Sequence, residues 1–369
     1  FIQRKIMFLN GIKLLNFRNY DALEHNFKKR ITLFVGKNAQ GKTNLLEAVY
    51  YLSALSSNRI KKDSELIKFH KESCLIQAQC TKNDVEVELE VFINPPKNKV
   101  LKVNGIKKNK SQEFLRVLKA VNFSSADLML MRGEPSDRRK WLDMAICQVY
   151  GAYRDKLANY NKIRLQKSNF LANFTTDEGL LDAFNIQMSI AAANIVYLRI
   201  KFLKELEKIA KQKHKTVSQG ETLKLEYDCE LGDDCTVKEL SELIYDRLCA
   251  LRNDEMRRAQ CLFGPHRDDI SFFINEIDAK KYASQGQQRT LVLALKLAEL
   301  DIIKEKTGEV PILLLDDVLA ELDNVRQNYL LGAIEKDIQT IITSVDTLAF
   351  DEEFLSDVDI VKISNGAKV

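Results

Sequence analysis

The sequence predicts an α/β protein of two lobes, one rich in strands and one largely helical, and three observations carry that reading. A short β-branched run, Ile31-Thr-Leu-Phe-Val35, leads into a glycine-bearing loop and then a helix-forming stretch at 44–52. Strand, loop and helix in that order open a parallel sheet. A second apolar run, Ile312-Leu-Leu-Leu315, ends in two carboxylates, Asp316 and Asp317, as a buried strand does when it delivers charge to a sheet edge. Between the two, Met188, Ala191, Ile195, Leu198, Phe202, Leu206 and Ile209 stand three or four residues apart, which draws one apolar stripe along a helix.

The remaining elements follow in chain order. Val85, Val87, Leu89, Val91 and Ile93 alternate with Glu86, Glu88 and Glu90, a period of two that puts the apolar residues on a core face and the glutamates in water. Asn104-Gly105 is a tight-turn signal. Residues 7 to 110 thus form a β-rich lobe interrupted by one helix. From Asp137 the pattern turns helical, with Leu142, Ala145, Val149, Tyr153, Leu157 and Tyr160 on one stripe. Residues 173–179 join this stripe to the next as an antiparallel pair, too short and irregular for a long coiled coil. Strands return at 222–227 and 270–274, a long helix at 291–300, and the last buried strand at 340–343. The lobes divide as 7–118 with 305–369 for the strand-rich lobe and 119–304 for the helical one.

With 369 residues, 45% hydrophobic and 29% charged, the chain has the make-up of a globular protein of two or three domains. It is large enough to bury a core without disulfide or metal staples. No run approaches 18 uncharged apolar residues, so no membrane-spanning helix is expected. The opening residues, Phe1-Ile-Gln-Arg-Lys-Ile-Met7, lack the apolar stretch of a secretory leader. Met7 reads as the natural start and residues 1–6 as an upstream extension. Seven cysteines without C-x-x-C spacing and four unclustered histidines point to reduced thiols in the cytoplasm and away from a Cys/His metal centre. The net charge of +4 does not establish nucleic-acid binding, because affinity follows local phosphate contacts. The basic residues are nonetheless clustered. One run holds Lys97, Lys99, Lys102, Lys107, Lys108 and Lys110; another holds Arg138, Arg139, Lys140, Arg154, Lys156, Lys162, Arg164 and Lys167.

The chemistry sits in three places. Gly36-Lys37-Asn38-Ala39-Gln40-Gly41-Lys42-Thr43 matches G-x-x-x-x-G-K-[ST] at every fixed position, a match expected by chance in roughly one chain per hundred of this length. Glycines let such a loop turn back, its backbone N–H groups face phosphates, and the following helix N-terminus adds positive potential. Lys42 then sits against the β- and γ-phosphates, and the Thr43 hydroxyl ligates Mg²⁺. At the end of the second apolar run, Asp316 orients the metal shell and Asp317 polarises the attacking water. Third, Ser284-Gln285-Gly286-Gln287 precedes the 291–300 helix. A Ser and a Gly at a helix start offer a hydroxyl and N–H groups to an anion. The residues alone leave open whether this is a second cradle or only an N-cap.

These three elements, in this order, resemble ABC-type ATPase heads, whose signature loop is Ser-x-Gly-Gln. More narrowly, the chain resembles the RecF family of SMC-like heads over nearly its whole length. The resemblance runs through Asn16-Phe-Arg-Asn-Tyr20, Arg132-Gly-Glu-Pro-Ser-Asp-Arg-Arg-Lys-Trp-Leu-Asp143, Gly264-Pro-His-Arg-Asp-Asp269, Ser284-Gln-Gly-Gln-Gln-Arg-Thr290 and Leu315-Asp-Asp-Val-Leu-Ala-Glu-Leu-Asp323. Lys37 stands where an acidic residue is frequent, Ala126 where a proline is usual, and Trp141 where a Phe or Tyr is usual. None of these removes a phosphate or metal contact.

The resemblance implies a P-loop NTPase of ABC-ATPase-head type, SMC-like, with no long coiled coil. It implies ATP and Mg²⁺ as cofactors and weak, DNA-stimulated ATP hydrolysis. It implies an ATP-dependent homodimer in which the 36–43 loop of one copy meets Ser284, Gln285, Gly286 and Gln287 of the other. Asp323 then lies at the dimer interface as the D-loop, and Thr343 falls where related heads place a γ-phosphate sensor. The implied partners are double-stranded, gapped or junction DNA, the RecR mediator and, through it, RecA, in the cytoplasm and away from membranes. Two other readings share parts of the pattern. One is the ATPase subunit of an ABC transporter, which the Gly264–Asp269 stretch does not fit. The other is a small-molecule P-loop kinase, in which residues 284–287 are only a cap.

Overall fold

A computed structural model describes residues 7–173, 177–218, 220–232, 234–334, 337–348, 350–364 and 366–368. Residues 1–6 and part of the expected 173–179 turn lie outside the described residues. By its contacts the chain divides into two compact units: Phe1–Leu128 with Gln212–Gly220 and Gln285–Val369, and Met129–Lys211 with Glu221–Ser284.

The first unit holds two six-stranded sheets. One is antiparallel and is built from β1 (Met7–Phe17), β2 (Tyr20–Asn26), β4 (Cys74–Lys82), β5 (Val85–Ile93), β6 (Val100–Val103) and β7 (Ile106–Lys108), in the order β2-β1-β4-β5-β6-β7. In β5, Leu89, Val91 and Ile93 are buried while Glu86 and Glu88 are exposed. The alternation fails only at Val85, which is 60% exposed. It pairs with Lys82 across a tight turn whose central residues, Asn83 and Asp84, both have positive φ, beyond the buried face. Asn104 (φ 51°) and Gly105 (φ 73°) form the expected turn between β6 and β7. Two successive residues in the left-handed region are what such a two-residue hairpin requires.

The other sheet runs β15-β14-β3-β13-β12-β8, with β3 (Ile31–Val35), β8 (Ala120–Ser124), β12 (Ile312–Asp316), β13 (Thr340–Ser344), β14 (Val358–Ser364) and β15 (Ala367–Lys368). Pairing is parallel throughout except between β14 and β15. The sequence reading ended the buried strands at 340–343, and β14 corrects it. Val358, Val361 and Ile363 are buried, but Asp359 and Lys362 interrupt them, so no apolar run marks the strand. A second correction concerns the lobe boundary at 118/119 and 304/305. β8 pairs in register with β12, and the helix Gln285–Thr307 falls wholly in the first unit, so both belong with the parallel sheet.

The second unit holds the helices Pro135–Val149 and Tyr153–Ala172, most of the helix Glu178–Val217, and a small antiparallel sheet of β9 (Leu223–Asp228), β10 (Asp269–Ile274) and β11 (Ile277–Asp278). The stripe read from Leu142 to Tyr160 is split between two helices, with Gly151 in the break. Tyr153–Ala172 and Glu178–Val217 run antiparallel: Lys156 Nζ donates to Asn194 Oδ1 at 2.8 Å, and Phe170 meets Phe184 at 5.7 Å between ring centroids. The longer helix also corrects the expectation that nothing could span a bilayer. By length and composition this helix is apolar enough to cross one, yet 56% of its most apolar 18-residue stretch is buried inside the fold. Of its stripe, Met188, Ala191, Ile195, Phe202 and Leu206 are buried and Leu198 and Ile209 half-buried, so the stripe faces protein core. All seven cysteines are free thiols.

Candidate nucleotide site at the parallel sheet edge

Register places the site. Across the parallel sheet, Phe34, Thr343, Asp316 and Ser124 stand in one row, one residue before the C-terminal ends of β3 and β13 and at the ends of β12 and β8. That edge is where open parallel sheets bind ligands. Because β13 lies between β3 and β12, Thr343 stands between Phe34 and Asp316 in that row.

The loop leaves β3 at Gly36, whose N–H donates to Ser344 O at 3.2 Å. A Cβ on Gly36 would lie 2.3 Å from Ile363 O, so no side chain fits between the loop and β14. Lys37, Asn38 and Ala39 are exposed at the tip. Ala39 (φ 64°) and Gly41 (φ 111°) have positive φ, which folds the chain back onto the helix Lys42–Ala54. A Cβ on Gly41 would meet Asn19 Nδ2 at 2.6 Å and Tyr20 Oη at 2.9 Å. Those two residues hold the loop from below: Tyr20 Oη donates to Gly41 O at 2.9 Å and Asn19 Nδ2 to Gln40 O at 3.3 Å. Gly366 N–H donates to Gln40 O as well, at 3.0 Å. Lys42 is 3% exposed, and its ammonium donates to Gly36 O at 2.7 Å and Lys37 O at 3.1 Å, which curls the loop around the charge.

Thr43 begins the link to the carboxylates. Its hydroxyl donates to Asp316 Oδ1 at 2.9 Å, and the Thr343 hydroxyl donates to the same oxygen at 2.8 Å. Asp317, with φ 52°, turns its N–H back to Thr343 Oγ1 at 2.9 Å. Burial pushes the Asp316 carboxyl above the usual carboxylate range, and the Asp317 charge adds to that; the two hydroxyls offset it only in part. A cavity of about 240 Å³ opens here, lined by Thr43, Glu47, Arg59, Ser124, Asp316 and Asp317 among others.

The residues fit a magnesium–nucleotide. A helix start behind a loop exposed at its tip, with a buried lysine at its centre, suits a polyphosphate. One raised carboxyl bonded to a threonine hydroxyl suits Mg²⁺, which takes one or two protein oxygens and completes its shell with phosphates and water. Among the described residues no group of three or more His, Cys, Asp or Glu could hold a metal alone.

The sequence reading missed the supports. Glu47, with its side chain 3% exposed, accepts from Arg18 Nε at 2.9 Å and Nη2 at 2.8 Å, from Arg59 Nη1 at 2.9 Å and from Ser57 Oγ at 2.6 Å. A lone acid among Leu45, Leu46, Ala48 and Val49 was the available signal. Asn19 and Tyr20 lie in a stretch that sequence comparison flags without giving it a role.

The other predicted residues form a separate group of contacts. Ser284 and Gln285 are exposed, Ser284 immediately before the helix Gln285–Thr307. Gly286 and Asp323 are brought together through Arg326: its Nη2 donates to Gly286 O at 3.1 Å, and its Nη1 pairs with Asp323 Oδ2.

In the second unit, the Gly133–Arg139 and Gly264–Asp269 stretches meet in one polar network. Arg138 forks onto Asp269 at 2.7 and 2.9 Å, and Arg139 donates to Asp268 O at 2.7 Å. Arg199, 2% exposed, forks onto Asp143 at 2.9 Å through both Nε and Nη2, and donates to Pro265 O at 2.6 Å and Tyr227 Oη at 3.0 Å. Arg138 is thus spent on the fold, as is Lys167, fully buried against Glu255; both drop out of the basic run.

The chain matches the RecF/RecN/SMC N terminal domain family over residues 8–366. It is 39% identical to the DNA replication and repair protein RecF of Bacillus subtilis (strain 168), over 98% of this chain and 100% of that one. It is 37% identical to the protein of the same name from Staphylococcus carnosus (strain TM300), over 98% and 99%. The chain belongs to the RecF family. Solved structures agree. The recombination mediator protein RecF-ATP in the RecFOR pathway superposes with a TM-score of 0.91 at 33% identity, covering 99% of this chain and 97% of that one. An Smc head bound to the C-winged helix domain of ScpA, at 14% identity and a TM-score of 0.54 over 98% and 96%, shares the fold alone. The architecture is therefore the SMC-like, ABC-type ATPase head that the RecF resemblance implied.

Proposed function

We propose that this chain is an ATP-dependent DNA-binding protein of recombinational repair that works as a dimer switch. The observation that supports this most directly is the sheet edge where Thr43, Asp316 and Thr343 converge beside the Lys42 helix start, in a chain whose relatives are named DNA replication and repair proteins. Residues 36–43 hold the triphosphate of ATP, with Lys42 against its β- and γ-phosphates. Thr43 and Asp316 hold Mg²⁺, which supplies charge neutralisation at the transferring phosphoryl group. Asp317 orients the attacking water, and Lys42 and Asp316 complete the hydrolytic set. Thr343 is already bonded to both carboxylate residues, so it senses the γ-phosphate through them.

Ser284, Gln285, Gly286 and Gln287 of one copy close over the nucleotide of the other, with Asp323 at the interface. ATP binding then adds contacts that exist only in the dimer, and shifts the population toward it. Slow hydrolysis, stimulated by DNA, removes them. The closed form engages gapped or junction DNA in the cytoplasm and, with a RecR partner, helps load RecA. Gel filtration with ATP, ADP or no nucleotide, each with and without gapped DNA, tests this. The expected result is a dimer with ATP only, retained longest on DNA. A monomer under all conditions overturns the reading.

A further inference from the structure

We infer that Arg326 is a positioning residue that locks the signature loop to the D-loop, so that both face a second copy as one preassembled surface. The inference rests on the dimer-switch reading above. Arg326 lies in the first turn of the helix Asn324–Gly332, three residues past Asp323, which caps that helix by accepting the Arg326 backbone N–H at Oδ1, 3.0 Å away. The same carboxylate pairs through Oδ2 with Arg326 Nη1. The guanidinium then crosses to the helix Gln285–Thr307. Nε donates to Thr290 Oγ1 at 2.8 Å and Nη2 to Gly286 O at 3.1 Å. Thr290, 1% exposed, donates its own hydroxyl to Gly286 O at 3.0 Å.

One planar fork therefore serves three acceptors on two elements far apart in sequence. Its side chain is 21% exposed, whereas that of Asp323 is 51% exposed and remains presented at the surface. Holding the Gly286 peptide from its carbonyl side fixes the direction of the N–H groups in the first turn after Ser284, the donors an anion would meet. Ordering both loops before association lowers the entropic cost of closing. Lysine cannot replace the fork, because an ammonium is a compact point donor without the planar geometry.

The test uses the full chain as wild type, Arg326→Ala and Arg326→Lys, with a fluorescent ATP analogue for binding and sedimentation with ATP for dimerisation. Losing charge-assisted bonds to Gly286 and Asp323 is expected to weaken ATP-dependent dimerisation by about tenfold or more, without rescue by lysine. Nucleotide affinity of the monomer stays at the wild-type value. Mixing Arg326→Ala with Lys42→Ala restores dimerisation in part, since the mixed dimer keeps one composite site with an intact phosphate loop and an intact partner face. Variants that dimerise like wild type overturn the role of Arg326 and leave the switch standing. So does rescue by lysine, or a loss of nucleotide affinity equal to the loss of dimerisation. A wild-type chain that stays monomeric with ATP overturns the switch and this inference together.

Discussion

Two sets of half-buried carboxylates set the two units apart. In the second unit Asp143 receives both arms of Arg199 and the Tyr153 hydroxyl. Asp269 receives the fork of Arg138 and Lys280 Nζ at 3.2 Å. Burial alone would raise Asp269, but the Arg138 bonds and the Ile270 N–H outweigh it, so its carboxyl lies below the usual range. At the sheet edge of the first unit, Asp316 accepts from two hydroxyls beside a like-charged neighbour, and burial leaves it raised despite the pull of the Arg59 charge. A buried acid that already has its cation belongs to the architecture; one that still lacks it marks chemistry.

The sharpest way to break that distinction is Asp316→Asn. ATP hydrolysis is expected to fall by roughly 100-fold or more, the scale on which removal of a charge-stabilising group acts. The fold should gain stability at the same time. A carboxyl whose folded pKa is raised binds its proton more tightly in the native state, so ionisation costs stability once pH passes the unfolded value near 3.9, roughly the ordinary one for Asp. The amide removes that cost. The gain should therefore appear at neutral pH and vanish below about pH 4, as read by thermal unfolding without nucleotide. A lower Tm for Asp316→Asn at pH 7.5 would place Asp316 with the architectural acids.

Asp143→Ala probes the other side. It strands the Arg199 guanidinium inside the second unit, which costs about 3–5 kcal/mol when one partner of a buried pair is removed. Urea unfolding should show that loss, whereas nucleotide affinity, which the proposed site assigns to the first unit, should hold. The double change Asp143→Leu with Arg199→Met should recover most of it. If the single variant loses nucleotide affinity in proportion to stability, the two regions are not separable.

How much of this was legible beforehand follows the same line. The phosphate loop, the Asp316–Asp317 edge and the Asn104-Gly105 turn are local patterns, and local patterns survive in sequence. β14 was hidden because its apolar residues are spaced by Asp359 and Lys362, and the split of the Leu142–Tyr160 stripe because Gly151 interrupts it without altering the period. Arg138 and Lys167 look like any surface cations until Asp269 and Glu255, more than eighty residues further on, come to meet them. Pairing over such separations is set by topology, and no window of sequence contains it.

His266 carries the comparison into pH. Its Nε2 lies 3.3 Å from the Cys261 carbonyl, which can only accept, so Nε2 bears the proton and Nδ1 accepts from Tyr160 Oη at 2.6 Å. Burial first, then Arg164, lowers its pKa to about 4. With the folded value below the unfolded one, the unfolded chain takes up the proton first. Stability contributed by neutral His266 is thus intact above about pH 6.5 and drains away as pH falls toward 4, by on the order of 3 kcal/mol. His266→Gln should flatten that part of the stability profile. An unchanged slope between pH 6.5 and 4 would assign the acid sensitivity to other groups.

The smallest effect on the fold is expected at the exposed lysines of the 97–110 run. Lys99, Lys102 and Lys108 already pair with Asp63, Glu90 and Glu113, while Lys97, Lys107 and Lys110 stand exposed. Replacing those three with alanine should move stability by no more than about 0.5 kcal/mol. If they bind DNA phosphates, the same change should reduce the slope of log affinity against log salt by about 3, close to one per lysine. Measured together, the two quantities separate a cation that holds the fold from one held ready for a ligand. A slope unchanged in the triple variant would move the DNA contacts to the second unit, where Lys162 on the helix Tyr153–Ala172 is exposed.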